Sequence, residues 1–220
     1  MGEKRKQILY FGRDPTRFLG EGDLTHLPLV ETVARPYQEV APFFASLPEA
    51  THLLFTSRVA VSYFAAYARK AEISWEDLCE KTFFSVGEAT NQALLDENLP
   101  SSEIAKEACG EGVVSSLSQH DLSEATLFYP HSSQARPLIR DYLERRRVSH
   151  IAFPLYDTVP REVPLPDLSP FDEIIFTSPS TVAAFVALAK ERLPHHKCRP
   201  IGPITASALA SYLATSPSFK

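Results

Sequence analysis

The chain has 220 residues, of which 44% are hydrophobic and 22% charged, and a formal net charge of −5. That composition excludes a disordered chain, and no apolar run approaches the roughly 20 residues a membrane-spanning helix needs. The acidic balance argues against a general nucleic-acid binder, and the length suits two small domains.

The first predicted element is a short apolar strand at Ile8 to Phe11, preceded by the basic residues Lys4, Arg5 and Lys6. The run is too short for the core of a signal peptide, so the expected location is the cytosol. A polar turn with Arg13 follows the strand, then a predicted helix start. Residues 27–36, LPLVETVARP, read as an extended segment. Residues 51–67 hold a buried strand, the turn Phe55-Thr56-Ser57 and an amphipathic helix rich in Ala, Val and Phe. Ser57 is a favourable N-cap for that helix. At 83–95 an apolar run leads through Gly87 and Thr90 into an Ala/Leu helix. Trp75 lies between these pieces and is expected to pack a short helix. At 126–139 a strand enters the polar turn His131-Ser132-Ser133 and a further helix, which ends in Arg145-Arg146-Arg147, a solvated cationic terminus. Residues 151–160, IAFPLYDTVP, form a second extended segment, and 160–170 a stiff proline-rich loop.

The end of the chain repeats what came before. Residues 171–187 again read strand, Phe176-Thr177-Ser178, helix, with Pro179 at the first helical position. Residues 199–210 again hold a Gly-x-x-Thr turn, at Gly202 and Thr205. One copy of the pattern is thus central and the other is split between the ends. The expected fold is α/β: two parallel-sheet domains, one inserted in the other, joined by a two-stranded β ladder. The discontinuous domain takes residues 1–28 and 164–220, the ladder 29–35 and 151–163, and the inserted domain 36–150. Ligands of parallel sheets bind beyond the carboxyl ends of the strands, so the strand-to-helix turns are expected to converge on a cleft.

Three cysteines, Cys79, Cys109 and Cys198, are far apart and form no C-x-x-C pair, and the seven histidines show no metal spacing. No disulfide framework and no metal site are expected.

In this order, FTSRVAV, VGEAT, LYDTVP, IIFTSPSTV and IGPITA resemble the uroporphyrinogen-III synthase family over nearly the whole chain. The resemblance implies two α/β domains and a substrate, hydroxymethylbilane, that is a linear tetrapyrrole carrying acetate and propionate groups. It implies loss of water, inversion of the terminal pyrrole ring through a spiro intermediate, and closure to uroporphyrinogen III in haem biosynthesis, with no metal or organic cofactor. It also implies a monomer that uses no nucleic acid and no membrane, with transfer of substrate from the upstream hydroxymethylbilane-forming enzyme. Tyr156 matches the family's tyrosine, proposed as the acid that protonates the leaving hydroxyl. Arg13, Ser57, Gly87, Thr90, Ser132, Ser133, Ser178, Ser180, Gly202 and Thr205 match turns expected to bind substrate. The chain departs from the family at Gly12-Arg13-Asp14 and at Ile204, and it ends soon after Leu213, where relatives usually add a strand and helix.

Plainer readings stand beside these. Tyr156 also reads as a packing residue of the second extended segment, Ser57 and Ser178 as N-caps, Gly87 and Gly202 as turn residues, and Thr90 and Thr205 as partners of their own helical turns. The alternative function is a non-catalytic clamp for a small polyanion, or a catalytically impaired relative, since fold does not dictate chemistry.

Overall fold

The structure is a computed structural model and describes residues 5–189 and 195–215. In chain order, strand β1 (Gln7–Tyr10) is followed by β2 (Asp23–His26) and β3 (Val30–Ala34). Next come α1 (Tyr37–Ala45), β4 (His52–Phe55), α2 (Arg58–Lys70), α3 (Trp75–Cys79), β5 (Thr82–Ser85) and α4 (Glu88–Asp96). The elements β6 (Glu103–Ile104), α5 (Gly110–Leu117), β7 (Thr126–Ser132), α6 (Leu138–Arg145) and β8 (Ser149–Pro160) follow. The chain closes with β9 (Glu173–Phe176), α7 (Pro179–Leu188), β10 (Cys198–Pro200) and α8 (Pro203–Thr215).

These elements form two compact units. One comprises Met1–Glu31 and Thr158–Lys220, the other Thr32–Asp157.

The first unit carries a parallel sheet in the order β10-β9-β1-β2. Both of its faces are buried, so its strands are continuously apolar rather than alternating. Leu9, Phe11, Ile174 and Phe176 pack on one side with Val182 and Phe185 of α7 and Leu209 of α8. Ile8, Tyr10 and Ile175 pack on the other with Phe18. The expected helix after β1 is instead a single 3-10 turn, Thr16–Phe18. Pro15 precedes it, and Gly20, at φ +102°, follows, so a longer helix has no room to form.

The second unit carries the order β8-β7-β4-β5-β6, parallel throughout. Successive side chains alternate between two apolar layers. Leu53, Phe55, Phe83 and Phe128 face α1, α2 and α4, where they meet Phe44, Phe64 and Leu94. Leu54, Phe84, Leu127 and Tyr129 face α5 and α6 through Val113, Leu117, Ile139 and Leu143. Trp75 packs against the first layer, and its indole N–H donates to the Glu97 carbonyl at 3.1 Å.

The second extended segment does two jobs. From Ser149 to Tyr156, β8 pairs in parallel with β7, with a register shift near the end. Its other edge neighbours β3: the Arg35 N–H donates to the Leu155 carbonyl and the Arg161 N–H to that of Leu29. The two strands therefore run past each other in opposite directions.

Candidate active site at the strand ends

In the second unit the turns after β4, β5 and β7 all lie at the carboxyl edge of one sheet. Ser57 caps α2: its Oγ accepts the Ala60 N–H at 3.0 Å, leaving the first amides of the helix without intrahelical partners. Arg58 opens that helix and is exposed. Gly87 precedes α4 at φ 171°, extended backbone that any residue adopts; what restricts it is space, since a Cβ there would stand 3.2 Å from the Ala108 Cβ. Thr90, at the third position of α4, is buried.

The end of β7 is irregular. Its register against β8 shifts between His131 and Ser132, so that Ser132 pairs with Tyr156 and the Ser133 N–H donates to the Tyr156 carbonyl at 2.9 Å. This bulge re-aims the strand end. Tyr156 is only 6% exposed, and its hydroxyl lies 2.9 Å from Ser57 Oγ. Its ring is tilted against that of Tyr63, whose own hydroxyl donates to the Thr32 carbonyl at 2.8 Å. Ser57, Ser132, Ser133 and Tyr156 are thus brought together.

Further charged and polar groups lie on the neighbouring strands, of which Arg35, Asp157 and Tyr129 were not among the expected site residues. The Arg35 guanidinium grips both oxygens of Asp157, each at 3.1 Å. The Ser133 hydroxyl and that guanidinium hold the Asp157 carboxyl below the usual carboxylate range. Opposite charges at facing ends of the two extended segments were the signal that could have found the pair. Tyr129 is buried and hydrogen-bonded to Thr56; burial pushes its phenol up, so it stays protonated. His131, two residues further along the same face of β7, is pushed down by burial and stays neutral. Its Nδ1–H donates to the Ser132 carbonyl at 2.8 Å, and its Nε2 has no hydrogen-bond partner.

Replacing Asp157 with Asn is expected to cost less than about 1 kcal/mol at neutral pH, because the pair is about one-third exposed and solvent screens it. The folded carboxyl titrates below its unfolded value. The advantage is therefore complete above the unfolded pKa of about 3.9 and is lost as pH falls through the lower folded one. Urea midpoints of wild type and D157N should converge as pH falls below the lowered folded pKa. A gap that persisted there would contradict this origin.

In the first unit the corresponding edge carries the other predicted residues. Ser178 caps α7 in a full capping box with Thr181, and its Oγ lies 2.9 Å from that of Ser180. Gly202 enters α8 at φ +80°, which favours glycine, and Thr205 beyond it is buried. Arg13 is exposed just past β1. Pro179 and Pro203 occupy the first helical positions, so these two termini each lack one amide donor that α2 and α4 keep.

One described cavity, of about 630 Å³, is lined by Val163 to Leu168 with Phe185, Leu188 and Ala189, and it includes none of the predicted site residues. Among the described residues, no three His, Cys, Asp or Glu side chains gather as a metal site, and no helix is long and apolar enough to cross a membrane. Among the described residues the three cysteines form no disulfide, and burial pushes the Cys198 thiol up to about 12.

A model of the HEM4 family, uroporphyrinogen-III synthase HemD, matches residues 18–215. Arg13 lies outside that match. A mutant uroporphyrinogen III synthase from the extremely thermophilic bacterium Thermus thermophilus superimposes with a TM-score of 0.65 at 17% identity, covering 94% of this chain and 89% of that one. A uroporphyrinogen-III synthetase from Helicobacter pylori gives 0.60 at 18% identity, covering 95% and 88%. At such identities these likenesses establish the two-domain α/β fold.

Proposed function

Since the chain belongs to the uroporphyrinogen-III synthase family, whose reaction closes hydroxymethylbilane to uroporphyrinogen III in haem and tetrapyrrole biosynthesis, we propose how its own residues divide that work. Tyr156 is the general acid. Its hydroxyl protonates the leaving hydroxyl of the substrate, and the pyrrole nitrogen expels water to give an azafulvene-like cation. A phenol, with an ordinary pKa of about 10, holds its proton at neutral pH and donates at short range. The cation is then attacked through a spiro intermediate that inverts the terminal ring. Most of the acceleration comes from holding the two ends of the chain together. The protein is a lyase that works without metal or organic cofactor, as a cytoplasmic monomer, and it takes its substrate from the upstream hydroxymethylbilane-forming enzyme.

The observation that carries this reading is the Tyr156 hydroxyl set against Ser57 at the sheet edge where a parallel sheet binds its ligands. The substrate is a polyanion and the protein is acidic. Helix N-termini reconcile the two, each worth about 0.3–1 kcal/mol to a carboxylate. In the second unit the turns at Ser57, at Gly87 and Thr90, and at Ser132 and Ser133 receive carboxylates. In the first unit Arg13, Ser178, Ser180, Gly202 and Thr205 do so.

The test is an isomer assay on the purified chain with a chelator present. Type III product at a rate proportional to enzyme supports a metal-independent synthase. Spontaneous closure gives type I, so type I alone would favour a non-catalytic binder. Activity lost to the chelator and restored by a metal would overturn cofactor independence.

A further inference from the structure

In the second unit β4, β5, β6 and β7 each lead into a helix at the carboxyl edge of the sheet. The turns after β4, β5 and β7 are the ones assigned to substrate carboxylates. The turn between β6 and α5 already holds a carboxylate of the chain itself. Glu111 is the second residue of α5, and its two oxygens accept from Arg136, one from Nη1 at 2.7 Å and the other from Nη2 at 2.8 Å. That guanidinium holds the Glu111 carboxyl down to about 2, so the pair is fully charged at neutral pH.

The surroundings leave room for this fork and little else. A Cβ at Gly110 would stand 3.1 Å from Arg136 Nη2 and 3.3 Å from Leu138 Cδ2, so glycine gives the guanidinium its place. A Cβ at Gly112 would collide with the Glu107 carbonyl oxygen, so the first turn of α5 lies directly on the chain that enters it. Exposed ion pairs with loose geometry contribute little. A two-pronged contact between guanidinium and carboxylate also fixes direction.

What the fork fixes is the turn after β7. Near its start this turn is tied to β8, where the Ser133 N–H donates to the Tyr156 carbonyl at 2.9 Å, and it closes on itself through the Ala135 N–H and the Ser132 carbonyl at 2.9 Å. Near its end, just before α6, Arg136 ties it to α5. Ser132 and Ser133 thus belong to a turn held at both ends.

We propose that Arg136 and Glu111 are positioning residues: their fork fixes the Ser132–Ser133 turn in the orientation that receives a substrate carboxylate. The inference rests on the reading of that turn as a substrate contact. A role through charge alone has the opposite signature at one of the two residues. E111Q removes a negative charge near a site for a polyanion, so charge alone lowers KM, whereas loss of the fork raises it. R136Q raises KM in either case.

Steady-state kinetics of type III formation provide the test. E111Q and R136Q are each expected to raise KM about two- to fivefold, the loss of one carboxylate contact, with kcat within about twofold. R136K, which keeps the charge but not the fork, should raise KM nearly as much. The double variant E111Q/R136Q should be no worse than either single one, because both break the same contact. Both side chains are about half exposed, so each variant should melt within a few degrees of the wild type. A KM for E111Q that is unchanged or lower, or an R136K that matches the wild type, would overturn the positioning role. A collapsed melt with a proportionate loss of kcat and normal KM would overturn it too and make the pair a plain structural tie. The synthase reading survives each of these results while the wild type makes type III product; a wild type that makes none overturns both.

Discussion

Replacing Tyr156 with Phe is expected to lower kcat for type III formation by about 10²–10⁴-fold, the range a positioned general acid supplies. KM should change little, because the proposed carboxylate contacts lie on the turns and not on the phenol oxygen. The fold should survive. Tyr156 belongs to the apolar layer under α2, and Phe keeps the ring that leans on Tyr63. The loss includes the hydrogen bond to Ser57, worth about 0.5–1.5 kcal/mol, or a few degrees of melting temperature. Steady-state kinetics beside a thermal melt separate the two effects. Unchanged turnover would remove the phenol from the mechanism, and collapse of the melt with proportionate loss of activity would make it a packing residue.

The largest effect on stability is expected at Phe44. This α1 side chain is fully buried and stands 5.7–6.1 Å, ring centre to ring centre, from Phe64, Tyr67, Phe128 and Phe153. It joins α1 to α2, β7 and β8 at once. Deleting the ring removes its transfer free energy and leaves a cavity that four aromatic neighbours cannot close, at a cost of about 3–5 kcal/mol. That is a large part of the roughly 5–15 kcal/mol that holds a domain folded. Phe153 lies three residues before Tyr156 on β8, so loosening this layer also loosens the support of the phenol. Denaturant unfolding of F44A should show the full loss, and F44L, which keeps most of the volume, less than half of it. A loss below about 1 kcal/mol for F44A would mean that the layer repacks.

The sequence carried the fold where local chemistry and burial agree. Leu53 to Phe55 and Ile174 to Phe176 are apolar at every position because both faces of a parallel sheet are covered. The serines that follow them cap helices, as N-cap chemistry requires. What escaped were elements without that agreement. The strand β2, Asp-Leu-Thr-His, lies at the edge of its sheet and is half to fully exposed, so it has no apolar signature. The helix α1 contains Pro42 in its second turn, where proline removes an intrahelical hydrogen bond, so the local sequence argues against the helix. Residues near the phenol were legible to different degrees. Tyr156 and Ser57 belong to ordered motifs, whereas Arg35 meets Asp157 across 122 positions of sequence and only the pairing of two strands reveals it. Tyr129 and His131 reach the edge by the two-residue period of a strand whose length and bulge no local pattern announces.

The central claim is that a linear tetrapyrrole reacts against the phenol on β8 with its carboxylates held by unpaired helix amides. A crystal structure of the chain with bound uroporphyrinogen III tests it most directly. The account predicts the Tyr156 hydroxyl facing the product's inverted ring, with propionate or acetate oxygens on the first amides of α2. A tetrapyrrole seated elsewhere, such as against Val163 to Leu168, with Tyr156 facing away from it, would contradict the account.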